Sequence, residues 1–240
     1  METRRSEVLA ALMAALAGME LEIDQRAAQK LLDYDALLSK GNAVMNLTAL
    51  TAAKDVAEKH FADSLLPLCY GWIPEGACLV DVGTGAGFPG LVLGIVRPDI
   101  ELILLDATQK RVRFLEECCA ALGVDAKCIH ARAEDAARWP KLRDGCTVAV
   151  SRAVASAPEL CELTLPFVEV GGCSICYKGG NAEQEFEGAA RALQTLQAQM
   201  GAVESRTLPW GERSLVRLEK KGNTPKAYPR KAGAPHSAPL

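Results

Sequence analysis

The sequence predicts an α/β fold with a doubly wound, seven-stranded sheet whose last two strands form an antiparallel hairpin. Three observations predict it. A glycine-rich stretch at 81–91 joins an apolar strand to a segment that can form a helix. After it, short apolar segments alternate with amphipathic ones, as in a parallel sheet covered by helices on both faces. Residues 202–208 and 214–219 then alternate with period two, as antiparallel strands do.

Helices precede the sheet. Apolar residues recur at helical spacing over 4–17 and 24–39, and the second helix is predicted to end near Gly41. Residues 41–48 predict a loop, and Thr51 is the predicted N-cap of a helix that reaches Glu58. We therefore expect an N-terminal helical segment over 1–70, packed against an α/β domain over 71–221.

The remaining elements follow in strict alternation. The patterns predict strands at 101–106, 126–130, 145–151 and 172–178, with helices at 109–122, 134–138, 158–168 and 183–199. Beyond Gly222 the chain is rich in proline, glycine and alanine, a composition that buries little apolar surface. Residues 222–240 are therefore expected to form a flexible tail.

Composition excludes several classes of protein. Of the 240 residues, 49% are hydrophobic, enough for one substantial core. No apolar run approaches the roughly 18 residues of a membrane span, and no convincing signal peptide is present, so we expect a cytoplasmic protein without a membrane partner. Nine irregularly spaced cysteines and three histidines predict neither a disulfide framework nor a structural metal site.

Charge is distributed unevenly along the chain. The net charge of −3 argues against a nucleic-acid partner. From Arg217 onward, however, the sequence has six basic residues and one acidic residue, Glu219, so this end carries a net charge of +5. A basic end on an acidic body is typical either of a nucleic-acid arm or of a solubilising terminus, and charge alone does not decide between them.

The glycine-rich stretch contains two overlapping motifs. Residues 85–90 fit the G-x-G-x-x-G dinucleotide fingerprint, with Asp106 at about the right distance to bind a ribose hydroxyl. Residues 81–87 (D-x-G-x-G-x-G) instead resemble the first motif of class I S-adenosylmethionine (SAM) methyltransferases. A third interpretation is a glycine turn that only packs a helix on a strand.

Two neighbouring residues favour SAM over a dinucleotide. Pro89, the predicted first residue of the helix, has no N–H to offer a pyrophosphate. Phe88 puts a bulky side chain where a pyrophosphate needs bare backbone. An NAD(P)-dependent dehydrogenase remains an alternative, although no Tyr-x-x-x-Lys pair supports it, and so does a non-enzymatic SAM-binding protein.

Several side chains follow the predicted strands at the carboxyl edge of the sheet. Asp106 can accept hydrogen bonds from a ribose diol, although residues 106–109 also fit a capping box that needs no ligand. Glu134 lies where an adenine is expected, and the neighbouring Ala133 is small enough to allow contact. Arg152 can bind a carboxylate or phosphate.

The absence of two motifs limits the chemical class of the methyl acceptor. There is no Asn/Asp-Pro-Pro-aromatic sequence, as in enzymes that methylate exocyclic amines, and no Pro-Cys dipeptide that would indicate a cysteine nucleophile. An acceptor that is already nucleophilic is therefore expected.

Together, these motifs resemble the RsmG (GidB) family of bacterial 16S ribosomal RNA guanine-N7 methyltransferases. The resemblance runs from about Asn42 to the C-terminus and is carried by residues 46–48 (NLT), 59–64 (KHFADS), 81–90 (DVGTGAGFPG), 105–106 with 110–115, 132–134 (RAE), 151–153 (SRA), 178–179 (KG) and 224–233. One departure is Gly41, where members often have tryptophan.

The resemblance implies a Rossmann-like SAM-binding domain, and a guanine in the 530 loop of 16S rRNA or of the small ribosomal subunit as acceptor. Guanine N7 has a free lone pair, so no general base is expected. The family's SAM contacts fall on Gly83, Phe88, Ala133, Glu134 and Arg152, to which the motif adds Gly85 and Asp106. We expect His60, Asp63 and Lys178 to position the base or RNA backbone, no metal, and a monomer.

Overall fold

The computed structural model describes residues 2–152 and 155–240, and its centre is one seven-stranded sheet. The strand order is β3-β2-β1-β4-β5-β7-β6. Strands β1 to β5 run parallel, and β7 is antiparallel to both of its neighbours. The strands are β1 Cys78–Val82, β2 Glu101–Asp106, β3 Ala126–His130, β4 Cys146–Arg152, β5 Val168–Lys178, β6 Ala198–Leu208 and β7 Gly211–Lys220. The predicted fold class is confirmed.

Helices cover both faces of this sheet. The α-helices are α1 Glu2–Gly18, α2 Gln25–Met45, α3 Ala53–Asp55, α4 Gly90–Val96, α5 Gln109–Leu122, α6 Ala133–Ala136, α7 Ala157–Thr164, α8 Ala182–Glu187, α9 Ala190–Thr195 and α10 Ala234–Ser237. A π-helix spans Val56–Ala62, and 3₁₀-helices span Leu66–Tyr70 and Leu165–Phe167. In the described ranges, none of these helices has the length and apolarity that a membrane crossing requires.

The core lies on the two faces of the sheet. On one face, α4 and α5 pack on β1 and β2, α2 packs on α4 and α5, and α1 packs on α2 and the π-helix, with Leu12, Leu31 and Leu91 fully buried. On the other face, α6 to α9 form two further clusters. Cys173 and Cys176 are buried in β5, in agreement with a buried strand at this Cys-x-x-Cys sequence.

The N-terminal segment differs from its predicted boundaries. Helix α2 continues past Gly41 to Met45 and ends at Asn46, whose backbone is left-handed. A Cβ atom at Gly41 would lie 2.6 Å from the ring of Phe114, so packing of α2 on α5 determines this residue. The predicted helix from Thr51 is a single turn, Ala53–Asp55, followed by the π-helix. The cap is Ala52 rather than Thr51.

The C-terminal residues make specific contacts with the domain, which contradicts the expectation of a flexible tail. Arg230 donates to both carboxylate oxygens of the fully buried Glu162, to Oε1 at 3.0 Å and to Oε2 at 2.6 Å. The buried Lys220 ammonium binds Asp144 and the Thr224 hydroxyl. Composition predicted flexibility because little of this segment is apolar, but hydrogen-bonded charges hold it instead.

Candidate functional site

The glycine-rich stretch forms a left-handed turn between β1 and α4. Gly83 and Gly85 have φ angles of +74° and +62°, a region that side chains other than glycine rarely adopt. Further along, a Cβ at Gly87 would lie 2.5 Å from the Tyr34 hydroxyl, and one at Gly90 would lie 2.6 Å from the Asp81 Cβ. Packing therefore explains Gly90, the turn geometry explains Gly83 and Gly85, and both explain Gly87, whose φ is +107°.

The Asp106 carboxylate fixes this turn from the end of β2. Its Oδ2 accepts a hydrogen bond from the Gly85 amide at 3.0 Å, and its Oδ1 accepts one from the Thr108 amide at 2.7 Å. The capping box predicted over 106–109 does not form, because the N-cap of α5 is Thr108 and its side chain makes no capping bond. Each carboxylate oxygen has a second lone pair, so Asp106 can also accept hydroxyl hydrogen bonds from a ligand.

A pocket of about 320 Å³ opens at the carboxyl ends of β1, β2 and β3. We call it the first pocket. Four of the predicted cofactor residues line it: Gly83, Asp106, Ala133 and Glu134. The rest of its wall comes from Val82, Leu105, Ala107, Ala131, Arg132, Glu159, Leu163, Gly233 and His236. Ribose-binding and adenine-binding positions predicted from sequence thus lie in one cavity.

Unsatisfied polar atoms are buried at the same turn. Among the described residues, neither Asp81 Oδ1 nor the Thr84 hydroxyl has a hydrogen-bond partner, whereas Asp81 Oδ2 accepts one from the Gly90 amide at 2.7 Å. Burial raises the pKa of Asp81 to about 6. A ligand that brings a cation and polar groups to this turn, as the amino-acid end of SAM does, would satisfy these atoms. The residues present therefore fit SAM.

A second pocket, of about 460 Å³, lies at the carboxyl ends of β4 and β5. We call it the second pocket. Its lining is Leu50, Lys59, His60, Asp63, Arg152, Tyr177, Lys178, Gly179 and Arg213. Strands β1 and β4 are neighbours at the centre of the sheet, where the strand order reverses, so the two pockets flank the switch point at which doubly wound sheets bind ligands.

Asp63 organises the second pocket. Its Oδ2 accepts from Arg152 Nη1 at 3.0 Å, and its Oδ1 accepts from Arg213 Nε and from Trp210 Nε1. With 3% of its surface exposed, this carboxylate is engaged by two guanidinium groups. Asp63 therefore holds two arginines in place, and its predicted role in positioning the base or RNA backbone would act through them.

His60 is neutral and presents a flat ring. Its Nδ1 faces Arg152 Nη2 at 3.2 Å, and its Nε2 faces the Thr48 hydroxyl at 2.8 Å. Because a guanidinium only donates, Nδ1 accepts and the proton lies on Nε2. Burial, with the Arg152 charge second, lowers the His60 pKa to about 3. The imidazole stacks on Phe88 at 4.2 Å between centroids.

Phe88 and Arg152 thus lie with His60 beside the second pocket, although the resemblance placed them among the SAM contacts. Arg152 lies 5.3 Å above the Phe88 ring and also donates to the Lys59 carbonyl. Lys178, predicted to position the base or RNA backbone, lines the second pocket and donates to Glu185 and to the Ala155 carbonyl, each at 2.8 Å. Ala153, part of the predicted 151–153 motif, lies outside the described residues.

Sequence reasoning missed Arg213. This residue lies near the start of β7, which runs antiparallel to β5, so its side chain reaches the edge at which the parallel strands end. A basic residue at the turn of the predicted hairpin was the available signal. No group of three or more His, Cys, Asp or Glu side chains is arranged to hold a metal ion within residues 2–152 and 155–240.

Comparison with known proteins agrees with this geometry. The family model described as rRNA small subunit methyltransferase G matches residues 27–216. Ribosomal RNA small subunit methyltransferase G of Dehalococcoides mccartyi (strain CBDB1) is 45% identical over 235 residues, 97% of this chain and 97% of the relative. Its namesake from Alkaliphilus metalliredigens (strain QYMF) is 41% identical over 221 residues, 91% of this chain and 92% of the relative.

A solved structure supports the fold. The branched-chain polyamine synthase C9 mutein from Thermus thermophilus, in complex with N4-aminopropylspermidine and 5'-methylthioadenosine, aligns with a TM-score of 0.61. The identity is 16%, and the alignment covers 85% of this chain and 66% of that chain, so this likeness concerns the fold alone. The match over residues 27–216, together with relatives that align over nearly their whole length, shows that this chain belongs to the rRNA small subunit methyltransferase G family.

Proposed function

We propose that this protein transfers a methyl group from SAM to N7 of a guanine in the 530 loop of 16S rRNA. Family membership establishes a SAM-dependent methyltransferase of small-subunit ribosomal RNA. It excludes the NAD(P)-dependent dehydrogenase and the non-enzymatic SAM-binding protein.

One observation carries the proposal: two pockets flank the junction of β1 and β4. In our assignment, the first pocket holds SAM, with the ribose at Asp106 and the adenine near Ala133 and Glu134. The target guanine enters the second pocket. Methyl transfer then takes place at the junction, beside Phe88, whose ring contacts both His60 and Arg152.

The second pocket suits an acceptor that needs no deprotonation. SAM supplies a methyl group on a sulfonium, and the lone pair of guanine N7 forms the new bond as the carbon–sulfur bond breaks. His60 could not act as a base, because Arg152 occupies Nδ1 and Nε2 carries its proton toward Thr48. Rate enhancement would come from orientation, with the His60 and Phe88 rings and the two arginines on Asp63 restricting the base.

The acceptor must leave its base stack to reach the second pocket, which is easiest in a loop. Arg152 and Arg213 share the single carboxylate of Asp63, and the positive charge left at this pocket would attract the RNA backbone. We further propose that the protein acts as a monomer in the cytoplasm, on 16S rRNA or the small ribosomal subunit.

The test uses radiolabelled SAM with 16S rRNA and small subunits that lack the modification. We expect incorporation to appear as N7-methylguanosine after nuclease digestion, and the comparison of naked RNA with subunits identifies the substrate. RNA in which the target guanine is replaced by adenine serves as the control. Label that persists in that RNA, or that appears on another atom, would contradict the proposal.

A further inference from the structure

The C-terminal residues form one wall of the first pocket. Gly233 and His236 line it, although they lie about 100 residues beyond the other lining residues of β3 and α6. The Gly233 amide donates to Glu134 Oε1 at 2.8 Å, and His236 Nδ1 lies 3.3 Å from Glu159 Oε2. Glu134 has only 4% of its surface exposed. The hydrogen bond from Gly233 is therefore shielded from water.

The segment that leads to Gly233 is firmly attached to the domain. Arg143 donates to the carbonyls of Thr224 and Tyr228, both at 2.8 Å, and Arg230 binds Glu162. Residues 231–237, which we call the strap, continue from this attachment across the first pocket. The attachment fixes the position of the strap before any ligand binds.

We propose that the strap is part of the cofactor site and encloses the adenosine end of SAM. This inference rests on the proposed function, which places SAM in the first pocket. The strap donates to Glu134, which our assignment places at the adenine, and also contacts Glu159 in α7. It therefore covers the adenosine rather than the methyl group, and its Gly233 amide orients the Glu134 carboxylate.

This placement gives a prediction for ligand affinity. Without the strap, the adenine of a bound ligand is exposed to water, and the Glu134 carboxylate loses the hydrogen bond that the Gly233 amide donates. SAM, S-adenosylhomocysteine and 5'-methylthioadenosine share the adenosine, so all three should bind more weakly by the same factor. We expect about tenfold, the effect of losing one hydrogen bond to a charged group together with the part of the pocket wall that Gly233 and His236 form.

Two truncations test the strap. A chain ending at Lys231 loses Gly233 and His236 but keeps the Arg230–Glu162 pair, and a chain ending at Ser237 keeps all of them. Calorimetry should show about tenfold weaker binding of the three ligands by the first truncation, and binding by the second within twofold of the full chain. Melting without ligand checks that both fold.

The outcomes separate this inference from the proposed function. If the full chain fails to bind SAM, the proposed function fails. If it binds SAM and the chain ending at Lys231 binds equally well, only the strap inference is overturned, and an effect on SAM alone would also overturn it. If that truncation does not fold, hydrogen exchange in the full chain decides, because SAM should protect the amides of Gly233 to Ser237. Unchanged exchange there would overturn the inference.

Discussion

The imidazole of His60 lies against the ring of Phe88, with 4.2 Å between centroids and 7° between planes. This contact joins the π-helix of the N-terminal segment to the glycine-rich turn of the sheet domain. Arg152, at the end of β4, contacts both rings. The N-terminal helices therefore supply one wall of the second pocket, in addition to covering the sheet.

Replacing Phe88 with leucine should slow methyl transfer by at least about tenfold while leaving SAM affinity within a few fold. Leucine fills most of the volume, so the free energy of unfolding should fall by about 1–2 kcal/mol. It cannot stack on His60 or hold the Arg152 guanidinium. Single-turnover rates and calorimetry on Phe88→Leu measure the two effects.

Phe167→Leu is the matched control, because Phe167 is fully buried in a different cluster. It should lose comparable stability and keep its transfer rate. Equal rates for the two variants would show that the stack has no part in the reaction.

Helices and strands were predicted best where the sequence pattern that defines the element lies entirely within that element. Helix α5 and strand β2 begin and end at the predicted residues, because their periodicity and flanking turns are encoded within the segment. The segment 183–199, predicted as one helix, instead contains α8, α9 and the start of β6. There, packing against the hairpin overrides helical propensity.

For the candidate site, too, local patterns could be predicted and long-range contacts could not. Side chains at the ends of predicted strands, such as Asp106 and Arg152, could be placed from sequence because parallel strands end at one edge. The roles of Asp63 and Arg213 depend on the pairing of β5 with β7, in which Lys178 lies opposite Ser214. The attachment of the C-terminal residues depends on Glu162. In the sequence, Glu162 is one polar residue among others in a predicted helix, and no local pattern indicates that it binds Arg230.

Stability should depend on pH through His60. Its pKa is about 3 in the folded chain and about 6.5 when unfolded. The unfolded chain therefore binds the extra proton between these values, and stability falls as pH drops below about 6.5. The slope for one group reaches about 1.4 kcal/mol per pH unit.

Denaturant unfolding of the parent and His60→Gln at pH 7 and pH 5 measures this effect. Carboxylates titrate alike in both chains, so the parent should lose up to about 2 kcal/mol more than the variant over this interval. Parallel profiles would mean that the pKa of His60 is the same in the folded and unfolded chains, and that burial does not lower it.

SAM affinity should depend on the protonation of Asp81. Burial raises its pKa to about 6 from 3.8, so the folded chain binds a proton between these values and the unfolded chain does not. The native state gains stability from that proton at low pH and loses it as pH rises through 6. The SAM ammonium favours the ionised carboxylate, so affinity should fall up to about tenfold per pH unit below 6.

Calorimetry of SAM binding at pH 5, 6, 7 and 8 tests this dependence, with Asp81→Asn as the comparison. The variant should bind weakly and with little change across the series. A parent affinity that stays constant from pH 5 to 8 would place the ammonium away from Asp81.

RNA binding should depend on the exposed lysines of the C-terminal residues. Lys226 and Lys231 are exposed, and neither lines the first pocket. If each contacts one phosphate, Lys226→Ala with Lys231→Ala should reduce the slope of log affinity against log salt by about 1.4, at roughly 0.7 per contact for single-stranded RNA. SAM affinity should not change.

Lys40→Ala with Lys127→Ala removes the same charge from other exposed positions and should leave the slope closer to the parent's. Filter binding to 16S rRNA over a range of salt concentrations measures both pairs. Equal reductions would show that only net charge matters, and the C-terminal lysines would then have no specific contact with RNA.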